Sequence, residues 1–274
     1  PEYAEKEKKI LRAAHYFATD WEFKVIYPMN STTFAIEEVK YEVEHGLSEC
    51  NTFDGFGRFA TNPDLQKFLS LIGKLRYQQR WSRAVRMPQT YVMGHMLVVA
   101  ILSYLCSVEI GACRARTINN FFGALFHDMP EVLTRDIVSP VKSSVEGLDD
   151  IIKEIEKAQV RKVIFPLVTD EIRADLEYYT QDEFSTRIID GVEIIHTTSD
   201  DINKNYNDDR FNPIDGQIIR ACDHLSAYLE AYMSLRFGIQ SEQLQSGYHN
   251  LFQTYENRII GGVDFGQLFD YFRL

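Results

Sequence analysis

Four polar residues occupy helix positions where the surrounding pattern is apolar. His95 is followed three and four residues later by Val98 and Val99; His127 and Asp128 close the largely apolar run 121 to 126; Asp223 has Ile219 four residues before it and Ala227 four residues after. Residues three and four apart share a helix face, so His95, Asp128 and Asp223 are expected to point inward. A buried, unpaired carboxylate is costly. Two carboxylates and two imidazoles offset that cost together if they surround a divalent cation. Mixed nitrogen and oxygen donors suit Mn²⁺, Fe²⁺, Co²⁺, Ni²⁺ or Zn²⁺ and suit Ca²⁺ poorly. A two-His, two-Asp set leaves positions open for water and substrate, which is the chemistry of phosphate-ester hydrolysis. A His-Asp dipeptide is common and says little alone. The weight lies in the order: His, then His-Asp, then Asp, each on its own apolar helix.

Helical periodicity dominates the elements that must position these residues. It predicts one or two amphipathic helices over 3 to 27, and helices over 64 to 78, 92 to 108, 116 to 129, 148 to 163, 171 to 179 and 218 to 237. Thr117 is the expected N-cap of the fourth of these segments, Pro130 its stop, and Gly238 the C-cap signal of the last. Residues 28 to 63, punctuated by Pro28, Gly46, Gly55 and Pro63, read as irregular, with a helix possible over 35 to 45. One segment, STRIIDGVEIIHT at 185 to 197, places two β-branched runs around Asp190-Gly191 and predicts a β-hairpin. Residues 200 to 213 read as a polar loop. The expected architecture is all-α, with a small inserted hairpin and an N-terminal helical extension over 1 to 63 ahead of a domain over 64 to 274.

The formal net charge is −11 over 274 residues. It argues against a nucleic-acid duplex or an anionic membrane as the main partner. A small anionic substrate is still compatible, because a metal reverses the field inside a cleft. None of Cys50, Cys106, Cys113 and Cys222 forms a C-x-x-C pair; Cys106 and Cys222 read as buried thiols, and a reducing cytoplasm is the expected compartment. The charged start, PEYAEKEKKILRAAH, has no signal-peptide core. The longest apolar run, 96 to 105, is about half of the ~20 residues a membrane helix needs.

The ordered motifs resemble the HD superfamily of metal-dependent phosphohydrolases. The resemblance covers roughly 67 to 240 and rests on Arg80-Trp81, His95, HDMPEVLTRDIVSPVK at 127 to 142, and ACDHLSAYLEA at 221 to 231. Within that superfamily it is nearest to the YfbR-like 5′-nucleotidases, whose pattern is an RW pair, a helix-borne His, H-D-x-x-E-V-L-x-x-D-x-x-x-P-V-K and a late A-D-x-L-x-A-Y. The resemblance implies an HD-domain helical bundle in which His95, His127, Asp128 and Asp223 bind one divalent transition metal. It implies that Glu131 manages a proton of the attacking water or the leaving group, and that Asp136 supports the phosphate or sugar side. Arg80 and Lys142 would neutralise phosphate charge, and Trp81 would wall the sugar pocket. It also implies a small phosphorylated substrate, a (deoxy)nucleoside 5′-monophosphate first, and a homodimer. Another nucleotide (triphosphate, cyclic or modified) and a non-catalytic nucleotide sensor are the competing expectations. Two departures stand out. Gly94 precedes the first histidine where relatives usually carry Glu, and Asp223 lies 95 residues beyond Asp128, farther than in compact relatives. His196 and His224 receive no role.

Overall fold

A computed structural model describes residues 4–50, 55–82, 84–134, 148–195 and 197–274. The chain divides into two compact units, Pro1–Lys67 and Phe68–Leu274.

The first unit holds helices α1 (Glu5–Asn30), α2 (Ile36–Cys50) and α3 (Phe56–Thr61). It has its own small core of Ala13, Cys50 and Phe56, with Phe17 and Phe59 packed against it. Two residues expected to break structure here do not. Pro28 lies in the last turn of α1, where a missing N–H costs a single intrahelical bond. Gly46 lies inside α2, where a Cβ would come 2.0 Å from the Tyr16 ring; its bare Cα admits the neighbouring helix.

Helix α4 (Pro63–Ile72) leads into the second unit and runs on into a 3₁₀ turn, Gly73–Tyr77. Then follow α5 (Val92–Glu109), α6 (Arg114–Phe126), α7 (Glu131–Thr134), α8 (Leu148–Gln159) and α9 (Asp170–Thr180). A hairpin, β1 (Arg187–Asp190) and β2 (Val192–Ile195), pairs antiparallel with Arg187 opposite Ile195 and turns at Gly191. After it come α10 (Ser199–Asp201), α11 (Gly216–Arg236), α12 (Glu242–Tyr255), a two-residue pair β3 (Ile259–Ile260) and β4 (Val263–Asp264), and α13 (Phe265–Tyr271). The helical bundle and the hairpin are as the periodicity predicts. The sequence reading assigned no element beyond residue 237, so α12, the small strand pair and α13 are additions.

The core is built from the inner faces of α5, α6 and α11: Val99, Ala100 and Cys106, Ala124, and Ile218, Ile219, Cys222 and Leu225. Full burial of each large aliphatic side chain contributes about 1.5–3 kcal/mol. Cys106 and Cys222 are both buried, with sulfurs 3.8 Å apart. Helix α5 has the length and apolarity of a membrane span, although its longest apolar run looked too short, and 44% of it is buried inside the domain.

Two expectations need correction. Helix α6 starts at Arg114, not near Thr117, whose hydroxyl instead donates to the Cys113 carbonyl at 3.0 Å. Its first amides are satisfied from far away: Asn207 Oδ1 accepts from Cys113 N at 2.8 Å and Asp209 Oδ1 from Ala115 N at 2.7 Å. The same contacts explain why residues 200 to 213 are ordered turns rather than a plain polar loop. A Thr198–Asp201 capping box starts α10, and Ile202 and Phe211 bury themselves with Ile188 of β1.

Candidate metal centre

Two helices and one helix end converge on one site. His95 projects from the first turn of α5, His127 and Asp128 follow the last residue of α6, and Asp223 lies midway along α11. One nitrogen of His95, one of His127 and one carboxylate oxygen of Asp223 lie within 4.8 Å of one another. His95 Nε2 is 2.9 Å from Asp223 Oδ1 and 3.8 Å from Asp128 Oδ2. His127 Nε2 is 3.3 Å from Asp128 Oδ2 and 3.9 Å from Asp223 Oδ1. A cation about 2.1 Å from each donor requires donor separations of roughly 3–4 Å, and these imidazole–carboxylate separations fit.

Hydrogen bonding fits too. His127 Nδ1 donates to the Ala124 carbonyl at 2.7 Å, while its Nε2 is buried with no hydrogen-bond partner. A buried polar nitrogen left unsatisfied is costly, and a metal ion at that nitrogen removes the cost. His95 Nδ1 meets Ser226 Oγ at 3.0 Å, which turns the opposite nitrogen toward the aspartates. The histidines are buried, whereas Asp128 and Asp223 each keep 19% of their side-chain surface open. The centre is therefore enclosed on the imidazole side and accessible on the carboxylate side.

Electrostatics bind the cluster together. Burial works against a charged His127, but Asp128 and then Asp223 outweigh it and push its pKa up to about 10. Burial likewise disfavours the Asp128 carboxylate, yet His127, Arg80 and His95 hold it down to about 2. Asp223 is also held well below the ordinary carboxylate range, against burial, by its hydrogen bond to His95 and by nearby positive charge. Without a metal, a charged His127 and the Arg80 guanidinium thus offset the Asp128 and Asp223 carboxylates.

Arg80 and Trp81 sit on a loop closed by two backbone hydrogen bonds, Arg80 N to Thr90 O at 2.9 Å and Val92 N to Gln78 O at 2.9 Å. Arg80 Nη1 reaches Asp128 Oδ2 at 3.3 Å and its Nε reaches Glu230 Oε2 at 3.4 Å. Trp81 adopts φ 56°. Its indole donates to Glu230 Oε2 at 2.8 Å, and a Cβ at Gly247 would lie 3.0 Å from the ring.

A cleft of about 70 Å³ opens beside the centre, lined by His127, Asp128 and Glu131 and by Lys153, Lys157 and Arg161, with Glu156, Glu177 and Glu183 also in its wall. Arg80 and Trp81 are not among its lining residues. Glu131 opens α7, and its backbone N–H donates to Asp128 O at 3.1 Å. Asp136, Lys142 and His196 lie outside the described residues. His224 turns away to hydrogen-bond the Tyr255 hydroxyl at 2.9 Å, and burial lowers its pKa, so it is a neutral core histidine.

Sequence reasoning passed over Lys153, Lys157 and Arg161, whose four-residue spacing was a usable signal for one helix face. It also passed over Ser226 and Glu230, three and seven residues beyond Asp223 and so on the same face of α11.

Fold and donor set together define an HD-type centre, in which a histidine, a His-Asp pair and a late aspartate converge inside a helical bundle. The HD domain family matches residues 72–252, and the chain belongs to that family. A dATP triphosphohydrolase of Acinetobacter phage SH-Ab 15497 is 30% identical over 76 residues, 26% of this chain and 37% of the phage protein. A 5′-deoxynucleotidase of Vibrio cholerae is 23% identical over 174 residues, 62% of this chain and 76% of that protein. The matched stretch thus spans little more than a third of the phage relative. Among solved structures, an HD-domain phosphohydrolase from Listeria innocua shares the fold, with a TM-score of 0.53 and 16% identity over 76% of this chain and 85% of that one.

Proposed function

We propose that this protein is a metal-dependent phosphohydrolase that releases phosphate from (deoxy)nucleoside 5′-monophosphates, with His95, His127, Asp128 and Asp223 holding one divalent transition-metal ion. The observation that carries this reading is the buried Nε2 of His127, without a hydrogen bond and 3.3 Å and 3.9 Å from the two aspartates. Held by these four residues, a divalent ion would supply polarisation of a phosphoryl oxygen and a more acidic water. The chain's own groups do the rest. Glu131, on the cleft wall beside Asp128, takes a proton from the attacking water or gives one to the leaving oxygen. Arg80, held by Asp128 and Glu230, presents a fixed positive charge near the reacting phosphate. Asp136 and Lys142 keep the roles the family resemblance implies, on the phosphate and sugar side.

A second reading, hydrolysis of a nucleoside triphosphate, is favoured by one observation. Lys153, Lys157 and Arg161 follow one another at four-residue intervals along the cleft, where phosphates beyond the scissile one would lie. Phosphate release from a panel of nucleoside mono- and triphosphates tests both. The protein is stripped of metal and then supplied with Mn²⁺, Co²⁺, Ni²⁺, Zn²⁺ or Mg²⁺ in turn. Metal-dependent turnover of monophosphates supports the first reading and turnover of triphosphates the second. Bound metal without any turnover would defeat both.

A further inference from the structure

We propose that Glu230 is a positioning residue that ties the Arg80–Trp81 loop to the metal centre, an inference resting on the metal-site reading above. The residue is 5% exposed, and its two oxygens face different partners. Oε1 accepts from Thr90 Oγ1 at 2.8 Å and lies 3.8 Å from His95 Nδ1. Oε2 accepts from Trp81 Nε1 at 2.8 Å and lies 3.4 Å from Arg80 Nε and 3.2 Å from Arg86 Nη1. One carboxylate therefore holds both ends of the loop, the Arg80–Trp81 end and the Arg86–Thr90 end.

Glu230 is not itself placed as a ligand. It sits on the Nδ1 side of His95, whereas the metal-facing Nε2 points to Asp223. Ser226 Oγ, at 3.0 Å, is the direct partner of Nδ1, and the Glu230 carboxylate, at 3.8 Å, acts on it through its charge. Helix α11 delivers the arrangement as one stripe. Asp223 lies at the centre, Ser226 on the far nitrogen of His95, Glu230 on the loop, and Ser234 on Arg86, with Nε to Oγ at 3.3 Å. Glu230 also supplies the negative charge that Arg86 needs, since that side chain has no exposed surface. A buried guanidinium without its carboxylate is strongly unfavourable.

Two consequences follow for the same residue. Loss of its charge should loosen His95 and weaken the metal, and should free Arg80 and weaken phosphate. Outer-sphere changes of this kind typically cost about 10–100-fold in metal affinity.

The test uses Glu230→Gln in the full chain, with Mn²⁺ affinity by calorimetry, inorganic phosphate affinity in the Mn²⁺-loaded protein, and Trp81 fluorescence in a Trp21→Phe background. Expected are an Mn²⁺ affinity about 10–100-fold weaker, weaker phosphate binding, and a shifted Trp81 emission. Mn²⁺ and phosphate affinities unchanged within twofold would overturn the proposal, whether or not the emission moves. If Glu230→Gln does not fold because Arg86 is left unpaired, the double variant Arg86→Met/Glu230→Gln removes that charge. It should fold with the same weakened Mn²⁺ and phosphate binding, and wild-type affinities in it would overturn the proposal. A wild-type protein that binds no Mn²⁺ would refute the metal-site reading itself, a result separate from either of these.

Discussion

The His127 ring donates its Nδ1 hydrogen to the Ala124 carbonyl at 2.7 Å, one turn back on the same helix end. That bond decides which nitrogen is exchangeable. Nδ1 keeps its proton for the carbonyl, and Nε2 is the position open to a second proton or a metal.

In the metal-free protein Asp128 and Asp223 push the His127 pKa up to about 10 despite burial. At pH 7.5 the ring is therefore an imidazolium, and metal entry must expel a proton. The sign follows: protons compete with metal, so apparent affinity falls as pH drops, by about tenfold per pH unit for one competing proton. Calorimetry in two buffers of different ionisation enthalpy should show close to one proton released per Mn²⁺ bound. No release would mean that His127 is neutral before the metal arrives.

Asp128 and Glu131 are neighbours in the cleft with separable duties. Asp128→Ala should abolish Mn²⁺ binding and lower the rate more than about a hundredfold, since several kcal/mol of electrophilic assistance goes with the metal. The helical circular-dichroism signal should persist. Glu131→Gln should keep the metal but lose about 10²–10⁴-fold in kcat. Full activity in Asp128→Ala would sink the metal assignment, and full activity in Glu131→Gln would remove that residue from proton transfer.

Lys157 and Arg161 offer a way to separate the two substrate readings. Their present partners, Asp182 at 3.2 Å and Glu154 at 3.4 Å for Lys157 and Glu177 at 3.6 Å for Arg161, are exposed or partly exposed and replaceable by phosphate. The double variant Lys157→Ala/Arg161→Ala should raise KM for a triphosphate about tenfold or more, as expected for lost charged hydrogen bonds. KM for a monophosphate should stay within about twofold. Equal shifts in both would show that the row does not select for the distal phosphates.

Gly216, the first residue of α11, packs against the backbone at Phe184, whose ring lies 5.9 Å from that of His127. A Cβ at Gly216 would stand 2.2 Å from the Phe184 carbonyl carbon. Backbone cannot yield as a flexible side chain does, so Gly216→Ala should destabilise by about 3 kcal/mol, at the upper end for overpacking. Thermal denaturation should report a Tm roughly 6–12 °C lower. An unchanged Tm would show that this junction is loose.

Sequence alone determined the helices that carry His95 and Asp223 and the one that ends at His127-Asp128, and the inward direction of the donors on them. Both are consequences of period: His95, Asp128 and Asp223 interrupt apolar faces, and a face is a local property of residues three and four apart. The hairpin was equally local, written in the Asp190-Gly191 turn and its β-branched flanks. Only the tertiary structure decided the meetings between elements. His95 and Asp223 touch across 128 positions, and α6 is capped by Asn207 and Asp209, more than ninety positions beyond its first turn. Glu230 gathers Arg80, Trp81, Arg86 and Thr90 from a loop about 140 to 150 positions earlier. No local propensity carries such information. A side-chain oxygen finds its donor only after helix packing has set the distance, and burial then makes an unmatched partner too costly to keep.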